Sequence, residues 1–128
     1  MPLLYQPKEG VIVMCDFRGL EAPEMVKTRP VVVLRRSSQN SALVIVVPLS
    51  TTKPLVIQNH HVEFTSLMPG PQKQCWAKCD MIYTVACTRL DRIQVKDRNT
   101  GKRGYTVIPL PTEIFTAIQA GVRSALGI

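Results

Sequence analysis

The sequence is poor in aromatic and in acidic residues. Phenylalanine, tyrosine and tryptophan make up only 5% of the 128 residues, whereas 10 residues are proline. Few large rings and many prolines predict short secondary-structure elements separated by turns. Only 9 Asp and Glu residues stand against 16 Lys and Arg, so the net charge is +7. Such a charge on a small domain favours an anionic partner, most often nucleic acid, although solubility alone would explain it equally well.

Long apolar runs and nucleotide-binding motifs are also missing. No segment reaches the roughly 18 apolar residues that a membrane span needs, and residues 1–10 do not resemble a signal peptide. We therefore expect a cytoplasmic protein that does not enter a membrane. Neither a P-loop nor a GxGxxG motif is present, and no cofactor is expected. The cysteines are too sparse for a disulfide framework, and we expect reduced, mostly core-forming thiols at Cys15, Cys75, Cys79 and Cys87.

The pattern that is present predicts a single, mainly β domain over residues 1–128. Several strands are expected to be apolar on both faces, which suits a small barrel packed against another element. Residues 111–126 predict one amphipathic helix, with a stripe at Ile114, Ile118, Val122 and Leu126, and Gly127 at its end. Strands followed by one helix define an α+β arrangement. The expected strands are 11–17, 31–34, 43–49, 61–65, 75–85 and 105–108, with a basic hairpin-like loop at 97–104.

The longest predicted strand carries the clearest polar group of residues. Alternation over 75–85 gives an apolar odd-numbered face, expected to point to the core, and an even-numbered face with Trp76, Lys78 and Asp80. Lys78 and Asp80 would stand about 7 Å apart on the exposed side, beside Trp76. On spacing alone, a solvated ion pair next to a chance aromatic is the favoured interpretation.

Two strand ends carry residues that are suited to phosphate. Arg29 precedes Pro30 at the start of a strand, where a rigid backbone can aim its guanidinium group at phosphate. Ser50 and Thr51 end another strand, where hydroxyl and backbone N–H groups can hold a phosphate. Taken alone, Arg29 is better explained as an ordinary surface arginine, and the hydroxyls equally well as turn residues.

The two histidines invite a metal interpretation, which the spacing does not favour. His60 and His61 could join Cys75 and Cys79 as four zinc ligands. Adjacent histidines on a strand point in opposite directions, however, and C-x-x-x-C inside a strand is not a zinc knuckle. We expect no metal site. No cysteine lies at the start of a helix either, so a cysteine protease is equally unsupported.

At this point the motifs, in order, resemble the PemK/MazF (Kid-like) toxins of bacterial toxin–antitoxin systems. The resemblance covers nearly the whole chain, and the T-R-P-V-x-V block with P-L-S-T is its most specific part. The matching blocks are G-V-I-V at 10–13, E-x-x-K-T-R-P-V-V-V at 24–33, V-V-P-L-S-T at 46–51 and K-C-D with Y-T-V at 78–85, followed by Arg89-Leu90 and the helix.

The resemblance implies an SH3-like barrel that forms a homodimer and cleaves single-stranded RNA. A substrate 2′-hydroxyl attacks its own phosphorus in this family, so no metal is needed, and a cognate antitoxin, expected to be acidic and partly disordered, holds the toxin in check. By this resemblance Arg29 stabilises the phosphorane, and Ser50 holds the phosphate with Thr51 beside it. Asp80 matches the carboxylate that transfers a proton, and Lys78 matches the basic residue two positions before it.

Other assignments and departures follow from the same comparison. Trp76 becomes a candidate platform for base stacking, and Glu24 a candidate RNA contact. Kid-like members have a histidine where this chain has Pro23, and Lys78 replaces an arginine, which loses bidentate geometry. The second proton-transfer group is therefore open, with the two histidines as candidates by pKa class. Two alternatives also stay open: a non-enzymatic binder such as a CcdB-like gyrase poison, and a catalytically dead regulator.

Overall fold

The structure is a computed structural model that describes residues 2–97 and 99–128. Strands dominate these residues, and one long helix closes the chain. A short 3₁₀ turn, Cys87–Arg89, separates two of the strands. The strands are β1 (Val11–Asp16), β2 (Thr28–Arg36), β3 (Leu43–Ser50), β4 (His61–Thr65), β5 (Gln74–Lys78), β6 (Tyr83–Ala86), β7 (Leu90–Asp91), β8 (Ile93–Lys96), β9 (Arg103–Thr106) and β10 (Ile108–Pro109), and the helix is α1 (Thr112–Leu126).

The main sheet curls because two of its strands each have two partners along one edge. Strand β3 pairs with β2 on one side, while β6 and β5 share its other side. Strand β1 likewise pairs with β2, and its outer edge is shared by β10 and β7. All these pairings are antiparallel, and the longest path through the sheet is β10-β1-β2-β3-β5-β4. The result is a curled half-barrel, which agrees with the small barrel that the sequence predicts.

Both faces of the central strands are buried, which explains their continuous apolar sequence. Val31 and Val33 lie in the core inside the half-barrel. Val32, between them on β2, lies in a second core on the opposite face together with Ile118 and Val122 of α1. A strand that is covered on both faces loses the apolar–polar alternation of a half-exposed strand. The mainly β fold with a C-terminal helix is therefore confirmed.

The predicted long strand over residues 75–85 is wrong in one respect, because it is two strands. If the register of β5 against β3 continued, Asp80 would lie opposite Val46, but Tyr83 takes that place. The inserted residues form a turn in which the N–H of Met81 donates to the carbonyl of Lys78 at 2.9 Å. An odd insertion exchanges the faces, so Ala77 lies in the helix-side core and Val85 inside the half-barrel.

The chain after β7 differs from the expectation in detail. The basic loop at 97–104 connects β8 and β9 as an antiparallel hairpin, and Arg98 lies outside the described residues. The edge strand predicted at 105–108 is divided between β9 and β10. Helix α1 ends as predicted, at Gly127 with a left-handed φ of 71°. Leu126 does not continue the buried stripe, since 52% of its surface is exposed.

The cysteines are free and buried, as expected from the sequence. Desolvation raises the pKa of Cys15 to about 12, of Cys75 to about 11 and of Cys79 to about 12. Because the thiolate is the reactive form, these residues are unsuited to nucleophilic chemistry and serve as small apolar core residues. Among the described residues, no helix is long and apolar enough to cross a membrane.

Candidate active site

An open groove brings together the residues that the sequence assigned to phosphate. Arg29, Ser50, Thr51 and Lys73 line it, together with Ser66 and Met68. We call it the Arg29 groove. Two cations and three hydroxyl groups around one groove provide the donors that an anionic phosphodiester requires.

Pairing between β2 and β3 explains why Arg29 and Ser50 meet. Val31 pairs with Pro48, so the same antiparallel register, extended by two residues, places Arg29 opposite Ser50. Arg29 also pairs with Cys15 on β1, which fixes its backbone between two strands. The hydroxyl oxygen of Ser50 accepts a bond of 3.1 Å from the N–H of Thr52. Both side chains thus start from rigid strand ends.

Lys73 is a groove residue that the sequence did not identify. It precedes β5, and its carbonyl accepts a bond of 2.8 Å from the N–H of Ser66, closing the hairpin between β4 and β5. This closure brings Lys73 to the groove. The segment Gln72-Lys73-Gln74 looks like any exposed polar turn, and only the hairpin register would have placed it near Arg29.

A second cavity contains Asp80. It is lined by Gln58, Asn59, His60, Asp80, Ser124 and Ala125, and shares no lining residue with the Arg29 groove. We call it the Asp80 cavity. The side chain of Asp80 is 49% exposed and that of His60 is 14% exposed. The sequence predicted Arg29, Ser50 and Asp80 in one site, whereas the structure distributes them over two separate concavities.

Two turns at the same end of β4 and β5 create the Asp80 cavity. His61 pairs with Lys78, so the residue before His61 and the residues after Lys78 meet where the two strands end. A turn before β4 is closed by a 3.0 Å bond from the N–H of His61 to the carbonyl of Gln58. The insertion after β5 forms the facing turn and carries Asp80. In consequence Nε2 of His60 lies 3.6 Å from Oδ2 of Asp80.

The two histidines lie side by side, contrary to the prediction that they point in opposite directions. Their ring centroids are 4.3 Å apart at an interplanar angle of 55°. The alternation rule does not apply, because His60 belongs to the turn and only His61 to β4. Nδ1 of His61 accepts a bond of 2.9 Å from the N–H of Gln58. Desolvation lowers the pKa of His61, as do the charges of His60 and Lys78, with a smaller opposing effect of Asp80.

These contacts argue against a metal ion in the Asp80 cavity. His60, His61 and Asp80 each bring one candidate ligand atom to within 4.8 Å of one another. If His61 binds a metal through Nε2, its Nδ1 must carry the ring proton, which would face the N–H of Gln58. Metal binding would then cost the hydrogen bond that closes the turn. That no metal is needed stays a prediction.

In the pairing of the strands, Lys78 lies between the residues that line the two concavities. Ser50 pairs with Trp76, and Lys78 follows two residues later, opposite His61. Cross-strand partners share a face, as do residues two apart on a strand, so Lys78 is on the face of Ser50 and His61. It lines neither concavity, but lies between their strand positions.

The expected exposure of Trp76 is wrong. Its side chain is 4% exposed, and its neighbours Cys75 and Ala77 are buried as well. Three consecutive residues of β5 are buried, so both faces of this inner strand are covered and its alternation does not mark a solvent side. A base cannot stack on a ring that is already buried, and Trp76 is a core residue in this structure.

We expect Trp76→Ala to lower the free energy of unfolding by about 3–5 kcal/mol, because it leaves a large cavity. Urea denaturation followed by circular dichroism measures this, since the variant lacks the chain's single tryptophan. Trp76→Phe keeps most of the volume and should lose much less stability. A loss below about 1 kcal/mol in Trp76→Ala, within the range of surface substitutions, would show that the ring is not part of the core.

Glu24 lies outside both concavities. It is exposed in the loop between β1 and β2, where its Oε1 accepts a bond of 3.1 Å from the N–H of Glu21. The N–H of Met25 donates to the hydroxyl of Tyr83 at 3.0 Å, which attaches this loop to β6. A role of Glu24 in RNA contact stays a prediction.

The geometry defines a small β half-barrel with a cationic groove at its strand ends and a second cavity that contains a histidine and a carboxylate. The family model for the PemK-like, MazF-like toxins of type II toxin–antitoxin systems matches residues 8–126. The chain belongs to this family.

Two relatives cover most of the chain. The putative uncharacterized protein YifN of Escherichia coli (strain K12) is 34% identical over 145 residues, covering 95% of this chain and 93% of that protein. An uncharacterized protein of Haemophilus influenzae is 29% identical over 138 residues, covering 95% and 91%.

Solved structures confirm the fold. MazF from Deinococcus radiodurans matches with a TM-score of 0.67 at 16% identity, covering 97% of this chain and 99% of that one. An endoribonuclease from a mycobacterial species, in complex with its cognate antitoxin, matches with a TM-score of 0.61 at 19% identity, covering 95% and 96%. At these identities the likeness concerns the fold.

Proposed function

We propose that this toxin is an endoribonuclease that cleaves single-stranded RNA through the substrate's own 2′-hydroxyl and needs no metal. The observation that carries the proposal is the Arg29 groove, in which Arg29 meets Ser50, Thr51 and Lys73. Family membership and the endoribonuclease among the matching folds support it. We infer that its substrate is messenger RNA and that it acts in the cytoplasm.

In this proposal the Arg29 groove binds and stabilises the phosphate, and the Asp80 cavity provides the proton transfer. RNA runs from the Arg29 groove past Lys78 to the Asp80 cavity, so that one bound strand contacts both concavities. Arg29 and Lys78 stabilise the charge that develops on the phosphorane, and Ser50 holds a phosphate oxygen. Asp80 accepts the proton of the attacking hydroxyl. The products are a 2′,3′-cyclic phosphate and a 5′-hydroxyl.

The test is cleavage of single-stranded RNA by the purified protein in EDTA. A matched RNA with one 2′-deoxy nucleotide at the scissile position should bind but resist cleavage, because its nucleophile has been removed. Efficient cutting of the deoxy substrate would contradict the mechanism, and so would activity that requires added magnesium. Absence of RNA cleavage together with inhibition of gyrase would favour the CcdB-like alternative.

We infer that an antitoxin controls this activity, because the family consists of toxins with dedicated antitoxins. The net charge of +7 favours an acidic partner. An acidic, partly disordered antitoxin that lies across the cationic face would compete with RNA for it. Co-purification with the product of an adjacent gene, and loss of RNA cleavage in that complex, would support the assignment.

We also predict a homodimer. Leu55, Val56 and Ile57 are consecutive and 104%, 67% and 55% exposed, and a cluster of exposed aliphatic side chains is typical of an interface. A C₂ dimer is the commonest closed assembly for a chain of this size. Sedimentation at micromolar concentration should give twice the 14.3 kDa chain mass. A single species of monomer mass would contradict the prediction.

A further inference from the structure

The Asp80 cavity holds one titratable side chain that the proposed mechanism leaves without a role. His60 lines the cavity, and its Nε2 lies 3.6 Å from Oδ2 of Asp80. This separation is slightly beyond a hydrogen bond and becomes one with a small rotation, as often happens when a substrate closes a site. The family resemblance supplies no histidine here, because the matching position is Pro23 in the loop between β1 and β2.

We propose that His60 and Asp80 form the proton-transfer pair of the RNA-cleaving site, with Asp80 as the base and His60 as the acid. This inference rests on the proposed function and assigns its second proton-transfer group. His60 is suited to the role of the acid, because its imidazole faces the cavity beside Asp80 and can carry a proton on Nε2.

The step balances with these two groups. The carboxylate of Asp80 takes the proton of the substrate 2′-hydroxyl as the O2′–P bond forms. The P–O5′ bond breaks, and the imidazolium of His60 donates its proton to the leaving 5′-oxygen. The products are the cyclic phosphate and the 5′-hydroxyl, with Asp80 protonated and His60 neutral. A carboxylic acid is a stronger acid than imidazolium, so the proton then passes from Asp80 to His60 and restores the starting state.

Helix α1 holds both members of the pair in position. A Cβ built on Gly121 would lie 2.8 Å from Sγ of Cys79 and 3.0 Å from the carbonyl oxygen of His60. Real Cβ atoms essentially never approach another atom to 2.8 Å, and 3.0 Å is tighter than most Cβ contacts, so glycine is what lets the helix backbone pack against both turns. The thiol of Cys79, the residue before Asp80, also donates a hydrogen bond of 3.7 Å to the carbonyl oxygen of Ile118. The pair is therefore fixed by packing, as a preorganised site requires.

The charges around His60 come from three elements. Asp80 belongs to the turn after β5 and is the nearest carboxylate. The ring of His61 of β4 lies 4.3 Å from that of His60, and Lys78 of β5 pairs with His61 in the sheet. Burial and the charges of His60 and Lys78 lower the pKa of His61, and its Nδ1 accepts a bond from the N–H of Gln58. From α1, the cavity receives Ser124 and Ala125, neither of which titrates. His61 therefore has a structural role in the turn, and His60 is the histidine that faces the cavity.

The experiment compares single-turnover RNA cleavage by the full-length protein, His60→Gln and His61→Gln between pH 5 and 9. An acid must be protonated, so the parent rate should fall as pH rises through the histidine range. In His60→Gln we expect a rate about 10²–10⁴-fold lower, and the fall in rate at high pH (the alkaline limb) should be absent. His61→Gln should keep that limb, even if a looser turn lowers the rate. The chain has only 2 histidines, so a fall in cleavage rate that is due to a histidine must come from one of these two residues.

A second variant separates chemistry from folding. The cavity is open, so added imidazole should restore cleavage to His60→Ala in a concentration-dependent way, which a purely structural residue would not show. Binding of the 2′-deoxy RNA should stay within about twofold in both His60 variants. If His60→Gln cleaves at the parent rate with the parent pH profile, the pair is wrong while the nuclease assignment stands. If the parent protein does not cleave RNA at any pH, both are wrong.

Discussion

Arg29→Ala should lower the cleavage rate of bound RNA about 10²–10³-fold, equivalent to about 2.7–4 kcal/mol of transition-state stabilisation. The variant removes a preorganised cation from the phosphate as it gains charge. An arginine stays protonated at any working pH, so the loss should be the same across the pH profile. RNA affinity should change less, because many basic residues share it. Single-turnover kinetics at saturating RNA separate the two effects.

The matched control for this change is Arg35→Ala. Arg35 is an exposed arginine on the same strand, β2, and contributes to a different concavity, with Gln6 and Phe115. Both variants lose one positive charge, so both should weaken the salt-dependent part of RNA binding by a similar amount. Only Arg29→Ala should lose the rate. Equal cleavage rates in the two variants would mean that Arg29 has no special relation to the phosphate.

The architecture was predictable because it depends on patterns that are local in the sequence. The apolar strands 31–34 and 43–49 and the helix at 111–126 appear where expected, with shifts of a few residues at their ends. These valine-rich strands have no polar face, so both of their faces must be covered by other parts of the protein. The end of the helix at Gly127 was also predictable from the sequence, because the left-handed residue that ends a helix is usually glycine.

The arrangement of the site was less predictable because it depends on registers between distant segments. Alternation placed Trp76 and Asp80 on one exposed face, but the insertion after Lys78 removes Asp80 from the strand and leaves Trp76 buried. Strand β3 determines that insertion by pairing with both β5 and β6. His60 comes to Asp80 only because β4 and β5 are neighbours. No feature of the His60-His61 pair in the sequence indicates which carboxylate it meets.

Asp80→Asn should slow cleavage about 10²–10⁴-fold, since the amide keeps the shape of the side chain but cannot accept the proton of the 2′-hydroxyl. RNA should bind equally well or more tightly, because a negative charge near phosphate is lost. Glu113→Gln makes the same change of charge at the exposed start of α1 and serves as the control. It should leave the cleavage rate at the parent value. Tighter RNA binding in Asp80→Asn at the parent rate would assign the carboxylate to affinity alone.

The double variant His60→Gln/Asp80→Asn tests whether the two residues act as a unit. If each transfers its proton independently, the losses of the single variants should multiply. If they act together in one concerted proton-transfer step, removing either member already loses that step, and the double variant should be little slower in single-turnover cleavage than the slower single variant. Arg29→Ala combined with Asp80→Asn provides the comparison, since the two side chains line separate concavities and act on charge and on proton transfer respectively. Losses that multiply for Arg29 with Asp80 but not for His60 with Asp80 would support the pair; losses that multiply in both combinations would mean that His60 and Asp80 do not act together.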